Sequence, residues 1–491
     1  AAASLGAIWS LCSLDMGYVS VLDRFKQIQP KLLIAQDGYV LRGRFIDRKE
    51  NIKKIREGLN NIENFIMVSA LSNSESETVY SWPDLFEKKG KFVATPVPFN
   101  HPLWVVYSSG TTGTPKPIVH GHGGILLEGM KQSLHHDLTK KDRFSWLTSS
   151  GWIMWNAQWV ALGQGATVVA FDGAPDYPNM NRVWEFISAE KLSFFGAGAA
   201  FFESSMKAKI IPKKVVDFKN LRSIGSTGSP LSGQTFEWIY QNVKLDLWVA
   251  PISGGTDLCG GFVMGHPKMP VRRGEMQCRA LGNSVKSFSS AGEELLGEVG
   301  ELVCTKPLPS MPLYFWGDQK KRRYKESYFD FYPGIWRHGD WIKIYPDGSS
   351  VIFGRSDATI NRKGLRIGSA EIYQAVESLD EVKDSLIVDL EYLEKESFMP
   401  LFIVKMPNVE FNEELKNKIN EKIKTNVSPR FLPDTIIEVM DIPKTLSGKK
   451  LEVPVKNLML GCKSSQVINK DAMVNPSSID FYIDFAKRIH K

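Results

Sequence analysis

Nine consecutive residues, Ser108-Ser109-Gly110-Thr111-Thr112-Gly113-Thr114-Pro115-Lys116, carry the densest set of small donors in the chain. Hydroxyls, a lysine and glycine-exposed backbone N–H groups are the donors that a polyphosphate needs. The spacing of Gly110 and Lys116 is not that of a GxxxxGK[ST] loop. The apolar run Leu103-Trp104-Val105-Val106-Tyr107 before it reads as a buried strand. Residues 121–138 after it read as a helix, with Ile125, Leu126, Met130 and Leu134 at helical spacing. The nine residues are therefore expected to link a strand to a helix.

Other chemistry-bearing groups stand far apart. Gly225-Ser226-Thr227-Gly228-Ser229-Pro230-Leu231 is a second glycine/hydroxyl loop, and Ser253-Gly254-Gly255-Thr256-Asp257 follows an apolar run. Trp336-Arg337-His338-Gly339-Asp340-Trp341 frames an aspartate with aromatics. Gly354-Arg355-Ser356-Asp357 precedes Gly364-Leu365-Arg366-Ile367, and Ile442-Pro443-Lys444-Thr445-Leu446-Ser447-Gly448-Lys449-Lys450 lies near the end. Taken singly, Asp340 reads as a turn cap, Arg355 as a surface ion-pair partner and Lys449 as a surface lysine.

The elements that must hold these groups alternate. Residues 32–35, 65–68, 103–107, 167–171, 193–195 and 245–249 read as strands, and 51–59 and 183–191 as helices. That βαβ rhythm predicts an α/β core with mostly parallel sheets. From about Gly282, short strands with Gly, Pro and Asp turns predict a small antiparallel or barrel-like subdomain. A second boundary near residue 354 sets off a smaller α+β unit with strands near Leu386 and Phe402 and a solvated lysine-rich helix over 412–425. The expected division is 1–354 for the large domain, 355–460 for the small one and 461–491 for a polar tail that packs loosely. Residues 1–9 read as the middle of a packed helix, so the chain is expected to begin inside a domain.

Composition narrows the function classes. The chain has 491 residues, 43% of them hydrophobic, and a net charge of +7. That mild excess suits anionic small ligands, and no RNA-binding or zinc-finger spacing accompanies it. Lys320-Lys321-Arg322-Arg323 reads as a solvated loop rather than a localisation signal. Cys12, Cys259, Cys278, Cys304 and Cys462 form no CxxC pair, so reduced thiols and a cytosolic setting are expected. No run approaches a membrane span. His120, His122, His135 and His136 lack metal-ligand spacing and read as helix-terminal or surface histidines.

Taken in order, the phosphate loop, the GxTD site, the HGDW aspartate, the GRSD segment and the SGK lysine resemble the adenylate-forming acyl/aryl-CoA ligase superfamily. The resemblance runs from Ala1 to about Gly461. Within that superfamily the chain is most similar to the ligases that join acetoacetate to coenzyme A. The segments that carry this are Gly6-Ala7-Ile8-Trp9-Ser10, residues 21–32, Gly151-Trp152-Ile153-Met154-Trp155-Asn156, residues 253–257, 300–307 and 333–340, and Asn475-Pro476-Ser477-Ser478-Ile479-Asp480.

The resemblance implies a large adenylation domain followed by a small mobile C-terminal domain, with ATP, Mg²⁺ and coenzyme A as substrates and activating ion. It implies that Ser108, Ser109, Gly110, Thr111, Thr112, Gly113 and Lys116 hold the β- and γ-phosphates. Gly228, Ser229 and Pro230 would line the adenine, Asp340 would accept the ribose hydroxyls, and Arg355 would add a ribose or phosphate contact. Thr256 would bond the α-phosphate and Asp257, where many relatives carry Glu, would hold the metal. Lys449 would stand between carboxylate and α-phosphate. Asp357 would be the hinge that later brings Gly364 to the thiol, with Arg366 and Arg430 on the coenzyme's phosphates. Trp152, Met154, Trp155, Thr227 and Gly254 would shape the acyl pocket. Related acetate-activating enzymes place a tryptophan at the position of Gly254, so its loss would admit a longer acid. A tight turn is the other reading of that glycine. Thr227, Ser253 and Asn156 are the candidates to bond a 3-keto oxygen. An inactive nucleotide-binding fragment, or a ligase for another short acid, are the alternatives.

Overall fold

Five parallel strands, buried along most of their length except at the edge strand Thr167–Val168, form the largest core. In spatial order they are Thr167–Val168, Arg143–Trp146, Phe194–Gly198, Ser223–Thr227 and Trp248–Pro251. The structure is a computed structural model that describes residues 1–69, 80–81, 90–108, 115–356, 360–362, 365–367, 369–390, 398–427, 429–446 and 448–489. The apolar and glycine runs of these strands suit a sheet covered on both sides by helices. Trp184 from helix Arg182–Ala189 is fully buried against it, ringed by Phe201, Phe202 and Phe218. The carboxyl ends Gly198, Thr227 and Pro251 open together, where α/β sheets bind ligands. The expected helix at 183–191 and strand at 193–195 are present. The strand expected at 245–249 starts only at Trp248, and Leu245 is exposed.

The phosphate-type loop does not run from strand to helix. It joins two antiparallel strands, Pro102–Ser108 and Lys116–Gly121, whose register pairs Ser108 with Lys116. Helix His122–His135 starts only after the second strand. That helix also turns the face opposite to the one its apolar spacing suggests. Leu126, Met130 and Leu134 are exposed, whereas Glu128, Lys131, Gln132 and His135 are buried. The inward face meets backbone polar groups, so it carries polar side chains. Glu128 and Lys131 pair at 2.7 Å, and Lys131 donates to the Gly261 carbonyl while Glu128 accepts from the Gly261 N–H.

Residues 1–9 are not a helix. A 3₁₀ turn, Ala3–Leu5, leads to the short strand Trp9–Ser10, which pairs in parallel with Pro102–Ser108. Trp9 meets Trp104 edge to face at 5.4 Å.

Beyond Gly282 the expected antiparallel subdomain is present. Five strands are ordered Glu294–Leu295, Val285–Phe288, Val299–Cys304, Trp336–Ile344 and Ser350–Arg355. The last residues form a three-stranded sheet, Val382–Ile387, Pro400–Lys405 and Thr435–Glu438. Strand alternation sends Ile387, Leu401 and Ile403 to helices Ser369–Val376 and Glu413–Asn426, and Leu386, Phe402 and Val404 to the opposite side. Asn412 caps the lysine-rich helix by accepting from Leu415 N–H, and only Leu415, Ile419 and Ile423 of that helix are buried. The tail does not pack loosely. Helix Ile479–Ile489 buries Ile479, Tyr482 and Ala486 against Phe402 and completes this core. Ile479, Tyr482 and Ala486 stand at helical spacing, so the signal was present in this segment and was masked by the polar residues that precede it from Lys463 to Ser478.

Candidate active site

A cavity of about 1640 Å³ lies where the parallel strands end, between the antiparallel subdomain and the C-terminal unit. Ser108 and Lys116 line one wall and Gly228, Ser229 and Pro230 another. Thr256, Asp257, Asp340, Arg355 and Lys449 line it as well, although they are spread over nearly two hundred residues of sequence.

Thr256 and Asp257 sit at the turn between strands Ser253–Gly255 and Gly260–Met264. Tyr328 donates its hydroxyl to Asp257 Oδ1. The Tyr328 ring is stacked on Trp336 with centroids 3.7 Å apart, and burial pushes its phenol well up, further raised by Asp257. Tyr328 therefore remains a neutral donor and holds one carboxylate oxygen in place. Lys116 Nζ lies 5.7 and 5.9 Å from the ring centroids of Tyr328 and Phe315. His120 is fully buried, with Nε2 3.2 Å from the Thr256 carbonyl and Nδ1 3.0 Å from that of Ser310. Burial pulls its pKa down to about 4, against the two carbonyls. It is neutral at pH 7 and its one N–H is given to one of those carbonyls.

Strand pairing sets Asp340 opposite Arg355. Arg355 Nη1 is 3.4 Å from Asp340 Oδ1 and donates to the His338 carbonyl at 3.3 Å. His338 Nε2 is 3.6 Å from the other oxygen, its ring packed on Phe262. Burial holds the imidazole below its usual pKa, with Asp340 pulling the other way. Asp340 is thus fixed from two sides.

Lys449 arrives on a hairpin in which Lys444 bridges Lys450. Thr445 N–H donates to the Lys449 carbonyl, and Lys449 N–H to Thr445 Oγ1. The side chain is reached by water inside the cleft yet surrounded by protein beyond it. That enclosure lowers its pKa and Arg355 lowers it further, while Asp340 and Asp257 oppose the shift. Lys450 turns the other way, to Glu377 at 2.5 Å and Asp384 at 3.0 Å.

Trp152, Met154, Thr227 and Gly254 line the cavity, whereas Trp155 does not and is 38% exposed on its short helix Ile153–Ala157. Thr227 Oγ1 donates to the Ile252 carbonyl at 2.8 Å, so its proton is already used. Asn156 is buried away from the cleft, beside Trp104, Gln132 and Trp159. Ser253 does line the cleft. At Gly254 an added Cβ would lie 1.9 Å from the Gly260 carbonyl oxygen. The close strand approach itself requires glycine there, on a strand rather than in the tight turn that is the other reading of that position.

Ser109, Gly110, Thr111, Thr112, Gly113, Asp357 and Gly364 lie outside the described residues, as do the side chains of Arg366 and Arg430. Among the described residues no three His, Cys, Asp or Glu side chains form a metal cluster, and all five cysteines are free thiols. His122, His135 and His136 stand at the ends of helix His122–His135, as one of the two readings expected, but His120, His135 and His136 are buried rather than superficial. His135 Nδ1 donates to the Gly265 carbonyl, and its Nε2 accepts from Leu281 N–H. Tyr328, Trp336 and His120 are the supports that sequence reasoning missed.

Residues 1–315 match the family model described as AMP-binding enzyme. The acetoacetyl-coenzyme A synthetase of Rhizobium meliloti (strain 1021) is 41% identical over 490 residues, 98% of this chain and 74% of that protein. The acetoacetyl-CoA synthetase of Gallus gallus is 39% identical over 495 residues, again 98% and 74%. The solved acetoacetyl-CoA synthetase from Streptomyces lividans superposes with a TM-score of 0.94 at 42% identity, covering 99% of this chain and 75% of that one.

Proposed function

The chain belongs to the AMP-binding enzyme family, among its acetoacetyl-CoA synthetases, and from that premise we infer that it joins acetoacetate to coenzyme A at the expense of ATP. The acid's carboxylate oxygen attacks the α-phosphorus, pyrophosphate leaves, and acetoacetyl-adenylate forms. The coenzyme thiol then attacks the adenylate carbonyl, and AMP leaves as acetoacetyl-CoA is released. AMP is a good leaving group where oxide is not.

The observation that carries this reading is the presence of Lys449 in the same cleft as Thr256, Asp257, Asp340 and Arg355. Both reactants of the first step are anions. Two unit charges ~4 Å apart interact by about 4 kcal/mol at an effective dielectric of 20. Lys449 and Arg355 supply positive charge where the carboxylate would meet the α-phosphate. Asp340 would accept from the ribose hydroxyls, and Gly228 to Pro230 would line the base. Ser108 and Lys116 would hold the outer phosphates. Asp257 offers one hard carboxylate beside the phosphate-side residues, which suits Mg²⁺, an ion that takes one or two carboxylates and leaves its other positions to phosphate and water. When bound there, the ion would neutralise phosphate charge. Asp357 would be the hinge for the second step, and Gly364, Arg366 and Arg430 would meet the coenzyme.

No helix among the described residues is long and apolar enough to cross a membrane. With five free thiols, this supports a cytosolic setting. The product is an activated short acyl thioester, the form in which acyl groups enter lipid metabolism.

The test is carboxylate-dependent ATP–pyrophosphate exchange with acetate, butyrate and acetoacetate side by side. Strongest exchange with acetoacetate is expected. Stronger exchange with another acid would overturn the substrate, and no exchange from a folded, ATP-binding protein would overturn the activity.

A further inference from the structure

Helix Tyr18–Ile28 is bonded to both ends of the loop that joins Ser108 to Lys116. On the entering strand, Tyr107 donates its hydroxyl to the Arg24 carbonyl at 3.0 Å. At the leaving end, Gln27 Nε2 donates to the Pro115 carbonyl at 3.1 Å. The helix therefore holds the two points between which the loop is strung.

The helix buries Ser20, Val21, Arg24 and Phe25, and of these only Arg24 is charged. Arg24 is 9% exposed and lines the cleft together with Tyr107, Ser108 and Lys116. Its Nη1 donates to the Ser20 carbonyl, one turn back, at 2.8 Å, and its guanidinium carbon lies 5.7 Å from the Tyr107 ring centroid. A guanidinium carries five N–H donors. Among the described residues no carboxylate forms an ion pair with it. Asp23, its sequence neighbour, is exposed. Cys12 and Tyr107 also act on it, but burial pushes the Cys12 thiol up to about 12 and raises the Tyr107 phenol too, so both are neutral. A buried charge is ordinarily paired, because an uncompensated one is costly. This one borders an open cleft with donors to spare.

The cleft thus has two cationic ends. Lys449 stands in the field of Arg355, Asp340 and Asp257, whereas Arg24 stands in that of Cys12, Tyr107 and Asp23. The first end is the one assigned to the α-phosphate. The second lies beside Ser108 and Lys116, where the outer phosphates would sit and from which pyrophosphate would leave. The planar fork of arginine matches two phosphate oxygens at once. We propose that Arg24 binds the β- and γ-phosphates of ATP, and the pyrophosphate formed from them, from behind the phosphate loop. This rests on the ATP-dependent ligase reading above. The coenzyme brings its own phosphates to the same cleft, and the experiment separates the two sources.

The experiment compares Arg24→Gln and Arg24→Lys with the unsubstituted chain. It reads the KM for pyrophosphate in acetoacetate-dependent exchange, the KM for coenzyme A in acyl transfer from supplied acetoacetyl-adenylate, and calorimetric binding of magnesium pyrophosphate alone. In Arg24→Gln the KM and Kd for pyrophosphate are expected to rise about tenfold, the scale of one lost charge-assisted hydrogen bond. Exchange at saturating pyrophosphate and the KM for coenzyme A should stay within about twofold. Arg24→Lys keeps the charge without the fork, and its rise should be about threefold. Unchanged pyrophosphate values in both variants, or an equal loss in every reading, would overturn the proposal. A rise confined to coenzyme A would assign Arg24 to the coenzyme's phosphates and overturn it as well. Should Arg24→Gln not fold, Arg24→Lys decides alone. If no acid supports exchange in the unsubstituted chain, the ligase reading fails, and calorimetric binding of pyrophosphate still decides Arg24.

Discussion

Tyr328 and Asp257, 71 positions apart, are joined by a hydrogen bond whose donor is held in place by the flat stack of Tyr328 on Trp336. Asp257 is the carboxylate proposed to hold the metal, so its orientation matters to the first half-reaction. Tyr328→Phe keeps the stack and removes only the hydroxyl. Exchange should fall by about tenfold, with a higher Mg²⁺ requirement, for the loss of one hydrogen bond to a charged group worth ~1.5–3 kcal/mol. A magnesium titration of the exchange rate checks this. An unchanged titration would remove Tyr328 from the site.

Lys449→Ala separates an enzyme from a nucleotide-binding fragment. The lysine stands in the combined field of Arg355, Asp340 and Asp257 without being committed to one of them by an ion pair. Its loss should lower acetoacetate-dependent exchange by about 10²–10³-fold, the scale for removal of one preorganised charge-stabilising donor. ATP binding measured by calorimetry should persist. If exchange were intact, the proposed role of Lys449 would be wrong.

Taken singly, Asp340, Arg355 and Lys449 carried only bland readings, and it was the order of the motifs along the chain, through the family resemblance, that marked them as candidates for the one cleft they line. Their supports carried no such mark. Tyr328 lies in an aromatic-rich run that offers no spacing signal, and it reaches Asp257 only through packing on Trp336. His120 looked superficial because a histidine next to glycines carries no mark of burial, yet it spans the Thr256 and Ser310 carbonyls. The helix His122–His135 misled for a related reason. Ile125 is buried, but Leu126, Met130 and Leu134 face outward because the core side beyond it must satisfy the Gly261 backbone and Asn283. Of the parallel core, Thr167–Val168, Phe194–Gly198 and Trp248–Pro251 were foreshadowed by apolar runs, whereas Arg143–Trp146 and Ser223–Thr227, the latter read in part as a glycine/hydroxyl loop, mix in polar residues and were not. The antiparallel pairing of Ser108 with Lys116 depended on a turn that sequence alone assigned to a strand–helix junction.

Acyl preference offers a sharper check of the pocket. Thr227 has given its proton to Ile252, and Asn156 faces a separate small void. Thr227→Val and Asn156→Ala should therefore leave the ratio of acetoacetate to butyrate exchange unchanged, although Thr227→Val should lower stability by about 1–3 kcal/mol through the unpaired Ile252 carbonyl. Ser253, at the cleft wall, is the candidate that remains, and Ser253→Ala should shift the ratio toward butyrate. Competition assays with the two acids decide between them, and a shifted ratio in Asn156→Ala would contradict the placement of that side chain.

Glu203 makes the docked arrangement sensitive to pH. It lies on helix Ala199–Lys207, whose Lys207 pairs with Glu377 at 3.5 Å and donates to the Lys383 carbonyl at 2.8 Å across to the small unit. Burial pushes the Glu203 pKa from 4.5 up to about 7, and Glu377 and Asp384 push the same way, against Lys207 and Lys450. The folded state therefore holds this proton more tightly than the unfolded chain does. Its stabilising contribution is complete below pH 4.5 and is lost as pH rises through about 7. Glu203→Gln imitates the protonated form and removes the repulsion from Glu377. The unfolding temperature of the unsubstituted chain should decline more steeply between pH 5 and 8 than that of Glu203→Gln, with a gap of about 2 °C at pH 8. Parallel curves would show that Glu203 is ionised throughout and that another group governs the pH response of this junction.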